Sequence, residues 1–258
     1  MLDYQKLYSS NQEEFLAYRK NLTKKQKNIG IIFLGGFKSD MNGTKAQALS
    51  SYAEQRDYDF IRFDYSGHGN SSGNFIDGTI GSWLDDTLNI IDKLTDKQPQ
   101  ILIGSSMGGW IMLLASLLRP QKIVGLVGLA AAPDFTEDLI WNCLNKEQKK
   151  HLERDKQIYF NNEFCEDAYP ISQNLIIEAR KHLLLNKPIN ISAPVRLIHG
   201  MDDNDVPYQT SIRIVENITS SNVTLQLIRN AGHRLSNPDE LDIIYKTIDS
   251  IIYNNVNI

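Results

Sequence analysis

The chain is poor in the features that mark several protein classes. It has two cysteines, Cys143 and Cys165, too few for a disulfide framework or a cysteine-rich metal site, which fits a reducing compartment. It has no basic excess: 27 Lys+Arg stand against 31 Asp+Glu, for a formal net charge of −4. That balance creates no broad positive field for nucleic acid or an anionic membrane. The opening Met1-Leu2-Asp3-Tyr4-Gln5-Lys6-Leu7 lacks the apolar run of a secretory signal and the Arg/Ser-rich, acid-poor composition of a transit peptide. Internal repeats and low-complexity linkers are also missing. Long uncharged runs are scarce. The 21 residues between Lys97 and Arg119 could span a bilayer by length, but Gly104-Ser105-Ser106-Met107-Gly108-Gly109 divides them. A buried strand, a turn and a buried helix are expected there, and no stable membrane insertion.

What is present is the material of a globular core. The 258 residues are 41% hydrophobic, and the length allows one or two domains. Apolar strand-like runs alternate with helical patterns. Strands are expected at Ile29–Leu34, Phe60–Tyr65, Ile101–Ile103, Ile123–Ala130, Val195–His199 and Val223–Ile228; Phe15–Tyr18 suits an edge strand. Trp83, Leu84, Thr87, Ile90, Ile91 and Leu94 recur every three or four residues, an amphipathic helix. Asn237 and Pro238 open a last helix as N-cap and first helical residue. Strands alternating with helices imply an α/β fold with a mostly parallel sheet covered on both faces.

One interval breaks the alternation. Residues 136–190 contain no strand-like run and are expected to form helices at Leu139–Leu144, Gln148–Phe160 and Leu175–Leu185. Their 8 Lys+Arg and 9 Asp+Glu nearly cancel. Large apolar residues are frequent there: Trp141, Leu144, Ile158, Tyr159, Phe160, Phe164 and Tyr169. The expectation is one domain, residues 1–258, with residues 136–190 inserted as a small helical cap or lid. Apolar shape, more than charge, would then govern substrate choice at the cap.

The pattern Gly-x-Ser-x-Gly occurs twice, so the pattern alone decides nothing. A nucleophile elbow needs a strand leading straight in and a helix leading straight out. Ser106, in Gly104-Ser105-Ser106-Met107-Gly108, has both. Ser71, in Gly69-Asn70-Ser71-Ser72-Gly73, has neither and is read as a loop serine. Serine needs a base. Of five histidines, His151 and His182 lie in the insert, His68 in a turn, and His199 at a strand end, where a structural hydrogen bond suits it. His233 follows the last strand and precedes the last helix, at the carboxyl edge of the sheet where such folds put their chemistry. The orienting acid should lie between nucleophile and base. The spacing Gly200-x-x-Asp203-x-x-Val206-Pro207 selects Asp203, ahead of Asp205 and Asp134. The oxyanion donors would be the backbone N–H groups of Met107 and Phe37, the latter in the loop opened by Gly35-Gly36. Such a mechanism uses no metal and no cofactor.

These residues carry a resemblance. Leu34-Gly35-Gly36-Phe37, Met41-Asn42-Gly43-Thr44-Lys45-Ala46, Arg62-Phe63-Asp64-Tyr65-Ser66-Gly67 and Ile103-Gly104-Ser105-Ser106-Met107-Gly108-Gly109-Trp110 resemble the α/β-hydrolase superfamily. So do Leu197-Ile198-His199-Gly200-Met201-Asp202-Asp203, Pro207, Ala231-Gly232-His233-Arg234 and Tyr245-Lys246-Thr247-Ile248-Asp249. Within the superfamily they are similar to a palmitoyl-protein thioesterase and acyl-glucuronide esterase family with mitochondrial and bacterial members. The similarity runs through nearly the whole chain from about residue 15, with Ile176-Ile177-Glu178-Ala179-Arg180-Lys181-His182 matching in the insert. The elbow identifies only the superfamily; the Met41–Ala46 segment is more specific. The resemblance implies serine hydrolysis of acyl esters or thioesters on a small-molecule or acylated-protein substrate. The start without a transit peptide departs from the mitochondrial members and gives the expectation of a bacterial cytoplasmic protein. The alternatives are a serine peptidase of the same fold and a non-catalytic protein that kept the hydrolase shell; a dehalogenase would need aspartate at position 106.

Overall fold

The computed structural model describes residues 3–10, 12–23, 29–160 and 169–256. Its strands are β1 (Gln5–Tyr8), β2 (Phe15–Asn21), β3 (Gly30–Leu34), β4 (Asp59–Phe63), β5 (Gln100–Ser105), β6 (Ile123–Leu129), β7 (Gln157–Phe160), β8 (Tyr169–Ser172), β9 (Val195–Gly200) and β10 (Val223–Ile228). The helices are α1 (Thr44–Gln55), α2 (Ile80–Leu94), α3 (Met107–Leu118), α4 (Lys146–Asp155), α5 (Gln173–Ala179), α6 (Gln209–Asn217) and α7 (Pro238–Val256). Eight strands form one sheet in the order β1-β2-β4-β3-β5-β6-β9-β10. Strands β4, β3, β5, β6, β9 and β10 run parallel. The hairpin β1–β2 adds an antiparallel margin, so β2 is an interior strand and β1 the edge.

Two core layers follow from the two-residue period of a strand. In β3, Ile31 and Phe33 face one layer with Leu49 and Ala53 of α1 and Ile244 and Ile248 of α7. Ile32 and Leu34 face the other, with Trp83 and Ile91 of α2 and Trp110 and Leu114 of α3. Both helical faces are therefore closed over apolar strands, as the continuous Ile/Leu/Val runs require. Glu240 Oε2 accepts from the Asn237 backbone N–H at 2.8 Å, reinforcing the start of α7. Among the described residues no helix is long and apolar enough to cross a membrane.

The all-helical expectation for residues 136–190 is corrected. Strands β7 and β8 pair antiparallel there, from Gln157↔Ser172 to Phe160↔Tyr169. Helix α4 does not continue to Phe160: Lys156 takes a left-handed conformation, φ 63°, and ends it. The β-branched and aromatic run Ile158-Tyr159-Phe160 then prefers a strand. The segment expected as a helix at Leu139–Leu144 is a π turn, Thr136–Ile140, followed by a 3₁₀ turn, Trp141–Cys143. Phe164 and Cys165 lie outside the described residues; Cys143 is a free, exposed thiol.

The insert shares the core instead of building its own. Ile140, Leu152, Ile171, Leu175, Ile176 and Leu184 are buried in the same layer as Trp83 and Trp110. Polar contacts fasten it at several points. Trp110 Nε1 donates to His182 O at 3.0 Å, and Glu178 Oε2 accepts from Gly81 N–H at 3.0 Å. The buried carboxylate of Asp134 accepts from the Leu184 and Leu185 N–H groups, each at 2.8 Å. Replacing Asp134 by alanine leaves two buried donors unpaired, so Asp134→Ala should lower unfolding free energy by about 2–4 kcal/mol, measured by urea denaturation.

Candidate active site

The elbow is built by close packing. Strand β5 ends at Ser105 and α3 begins at Met107, so Ser106 alone makes the turn. It does so at φ 54°, ψ −119°, outside the usual left-handed well and strained for a residue with a side chain. Its backbone is held on three sides: Ser106 N–H donates to Leu129 O at 3.0 Å, and Ser106 O accepts from Gly109 at 2.8 Å and Ala132 at 3.0 Å. A Cβ on Gly104 would collide with the backbone of Gly108, and one on Gly108 with the carbonyls of Leu34 and Gly35. The motif's flanking glycines are thus imposed by contact between β5, α3 and the end of β3. The second Gly-x-Ser-x-Gly copy is a structural turn: Ser71 Oγ donates to Asp64 O at 2.6 Å and accepts from Ala17 N–H at 2.8 Å.

The loop after β3 lies against the elbow. A Cβ on Gly36 would stand 3.4 Å from Ser106 Cβ and 3.5 Å from Ser105 O. This sets the residue before Phe37 against Ser106, where α3 begins with N–H groups that have no acceptor within the helix. The turn begins at the fully buried Met107. His68 props this loop from below: Lys38 N–H donates to His68 Nε2 at 3.2 Å, and Nδ1 faces Ser66 O at 3.3 Å. Those two contacts fix the neutral Nδ1–H tautomer, and burial lowers the His68 pKa in the same sense. The Phe37 ring packs edge-on against Phe75, Trp83, Phe135 and Tyr169, with centroids 4.9–5.8 Å apart.

Asp203 and His233 meet across two loops at the carboxyl edge of β9 and β10. His233 Nδ1 stands 2.7 Å from Asp203 Oδ2. The Asp203 side chain is fully shielded, whereas His233 keeps 22% side-chain exposure. Asp203 Oδ1 accepts from the N–H groups of Asp205 at 2.9 Å and Val206 at 2.8 Å. A fourth partner was not legible as such in the sequence: His199 Nε2 lies 3.1 Å from Asp203 Oδ2 and 3.0 Å from Val206 O. Two acceptors at Nε2 require the proton there, and Nδ1 then accepts from Ser211 Oγ at 2.7 Å. Only the placement of His199 at a strand end hinted at this bond.

Burial by itself would raise the Asp203 pKa, but the hydrogen bonds from His199, His233 and Val206 outweigh it and hold the carboxyl well below the usual carboxylate range. The rival aspartates do other work. Asp205 closes the turn through its N–H, and Asp134 fastens the insert. Asp203, Asp205 and His233 present ligand-type atoms within 4.8 Å of one another, but Asp203 already engages four hydrogen bonds, which saturate a carboxylate. No hydrogen bond joins Ser106 Oγ to His233 among the described residues; such bonds tighten when substrate binds.

A depressed folded pKa gives stability that is complete above the unfolded value, about 3.9, and is lost as pH falls toward the folded value. The stability difference between the wild type and Asp203→Asn should therefore be constant from pH 8 to 5 and shrink below about pH 4. Urea midpoints across that range check it.

Comparisons with known proteins identify the family. A family model described as serine aminopeptidase, S33, matches residues 30–174. The mitochondrial palmitoyl-protein thioesterases ABHD10 of cattle and human are each 42% identical over 238 residues, covering 92% of this chain and 76% of theirs. The solved structure of mouse α/β hydrolase domain-containing protein 10 superposes with a TM-score of 0.89 at 37% identity, covering 98% of this chain and 99% of that one. A putative hydrolase from Agrobacterium vitis superposes with a TM-score of 0.90 at 33% identity, covering 96% and 97%. The expectation of a cytoplasmic protein is overturned by the mitochondrial naming of the relatives. That expectation rested on the composition of the first residues, and a hydrolase core carries no physical signal of compartment. Parallel sheet, elbow and relatives together establish that the chain belongs to the α/β-hydrolase superfamily, in the family of the palmitoyl-protein thioesterases, and is an ester or thioester hydrolase.

Proposed function

We propose that the chain cleaves acyl esters or thioesters through an acyl-enzyme on Ser106, with His233 as base and Asp203 as its orienting acid. The observation that carries this reading is the 2.7 Å Asp203–His233 hydrogen bond at the same sheet edge as a serine held at φ 54°. With Nδ1–H given to Asp203, the His233 Nε2 lone pair is the base. It takes the Ser106 proton as Oγ attacks the acyl carbonyl. Asp203 fixes the tautomer and stabilises the imidazolium. The N–H groups of Phe37 and Met107 receive the developing oxyanion. His233 then protonates the departing alcohol or thiol, and water releases the acyl group by the reverse sequence.

Residues 136–190 serve as the cap of the acyl site. Tyr169 of β8 and Phe135, just before the insert, close on the ring of Phe37, so one residue joins the oxyanion loop to an apolar wall. That wall suits an acyl chain of some length, on a small molecule or on a protein thiol as the relatives' name describes. A glucuronide ester would need a cation for its carboxylate, and two arginines of the insert are already paired: Arg180 with Glu137 and Arg154 with Asp155, each at 2.7 Å.

Ser106→Ala should lower hydrolysis of p-nitrophenyl butyrate by about 10⁴-fold or more and abolish labelling by a fluorophosphonate. Full turnover in that variant refutes the mechanism. Peptide p-nitroanilides in the same assay test the peptidase alternative, and failure of the wild type to label favours a non-catalytic binder. Tyr169→Ala should raise KM about ten-fold for palmitoyl-length thioesters and little for acetyl esters, because only the longer chain loses buried contact.

A further inference from the structure

The segment Met41-Asn42-Gly43-Thr44-Lys45-Ala46 has no part in the steps above, yet it sits behind the nucleophile. Met41 is clamped by two contacts: its N–H donates to Asp64 Oδ1 at 2.6 Å, and its carbonyl accepts from Arg62 at 2.6 Å. Four residues on, Lys45 is buried at 9% exposure, an unusual place for an ammonium. Its Nζ donates to Ser105 Oγ at 2.9 Å, and Ser105 is the last residue of β5, immediately before Ser106. The Met41 clamp thus aims the lysine, from the second position of α1, at the elbow. A methionine of similar reach would fill the space without the cost of desolvating a charge, so packing alone does not account for lysine.

We infer that Lys45 is a positioning residue for the hydrolytic reaction, holding the elbow through Ser105 and placing a buried positive charge behind the site. The carboxylates that act on it are Asp203, in the loop after β9, and Glu240 on α7. Glu240 is itself buried and spends its oxygens on Asn237. Both carboxylates favour the charged form of Lys45, so the ammonium offsets part of the negative charge they bring to the elbow. Burial pushes the lysine down to about 8, against the upward pull of Glu240 and Asp203. The charge is therefore present at neutral pH and is lost as pH rises past about 8. A neutral amine can still donate to Ser105, so the hydrogen bond and the charge have different pH signatures.

The inference rests on Ser106 being the nucleophile. The test uses the full chain and p-nitrophenyl butyrate, with kcat and KM measured from pH 6.5 to 9.5 and thermal denaturation to fix the folded fraction. Lys45→Met should lower kcat about 100-fold with KM within about two-fold. Ser105→Ala, which keeps the charge, should lower kcat about ten-fold or less. Wild type and Ser105→Ala should both lose activity above about pH 8, while the residual activity of Lys45→Met stays level. A kcat for Lys45→Met, per folded enzyme, within two-fold of wild type overturns the inference; so does a wild-type profile flat through pH 9.5. If Lys45→Met does not fold, Lys45→Gln and the wild-type alkaline limb decide on the same criteria. Ser106→Ala is the control: activity surviving there refutes the catalytic reading itself, whereas an inactive Ser106→Ala with a fully active Lys45→Met refutes only the role of Lys45.

Discussion

Everything at the site depends on how closely three backbone segments can approach at one point. Strand β5, the start of α3 and the end of β3 meet where Gly104 and Gly108 leave no room for a side chain. That contact forces Ser106 into its positive-φ turn, and backbone hydrogen bonds to Leu129, Gly109 and Ala132 keep it there. The same region brings Gly36, the residue before Phe37, alongside the serine. The proposed nucleophile and oxyanion donors would therefore both be set by a single packing constraint. A larger residue at either glycine would displace both together.

The proposed acid and base, Asp203 and His233, are organised differently. They come from loops, and their geometry is held by hydrogen bonds more than by packing. Asp203 is held by two backbone N–H groups on one oxygen and two imidazoles on the other. His199 is wholly buried and locked by Ser211, so the orientation of Asp203 is inherited from the rigid end of β9. His233 keeps partial exposure, as the role proposed for it requires. Exposure thus rises from the sheet outward, from His199 and Asp203 to His233, an arrangement that suits the proton-transfer role proposed for His233.

How much of this could be read beforehand divides along physical lines. The parallel sheet was legible because buried strands such as β3, β5 and β6 are continuous apolar runs, and the start of α7 because Asn237 and Pro238 announce it. Ser106, Asp203 and His233 could be nominated because each occupies a fixed place relative to a strand end. The β7–β8 hairpin was not legible: four-residue strands carry too little periodicity, and the left-handed turn at Lys156 is made by a residue with no special preference for it. Nor were the supporting contacts of His68, His199 and Lys45. Lys45 and Ser105 are 60 positions apart, and only the finished fold makes them neighbours. Compartment was misjudged for a different reason, since it is carried by addresses and not by the physics of the core.

The shared core of the insert has a mechanical consequence. A cap that swung away as a rigid body would expose Ile171, Leu175, Ile176 and Leu184, together with the α2–α3 face they cover. At about 1.5–3 kcal/mol for each large aliphatic side chain, four of them alone would cost on the order of 6–12 kcal/mol, comparable to the whole stability of an ordinary domain. Such an excursion is a partial unfolding event rather than a gate cycle. In the proposed reading, with the insert as cap, substrate would instead be admitted by local rearrangement of the rings packed around Phe37, a valve set in a fixed wall.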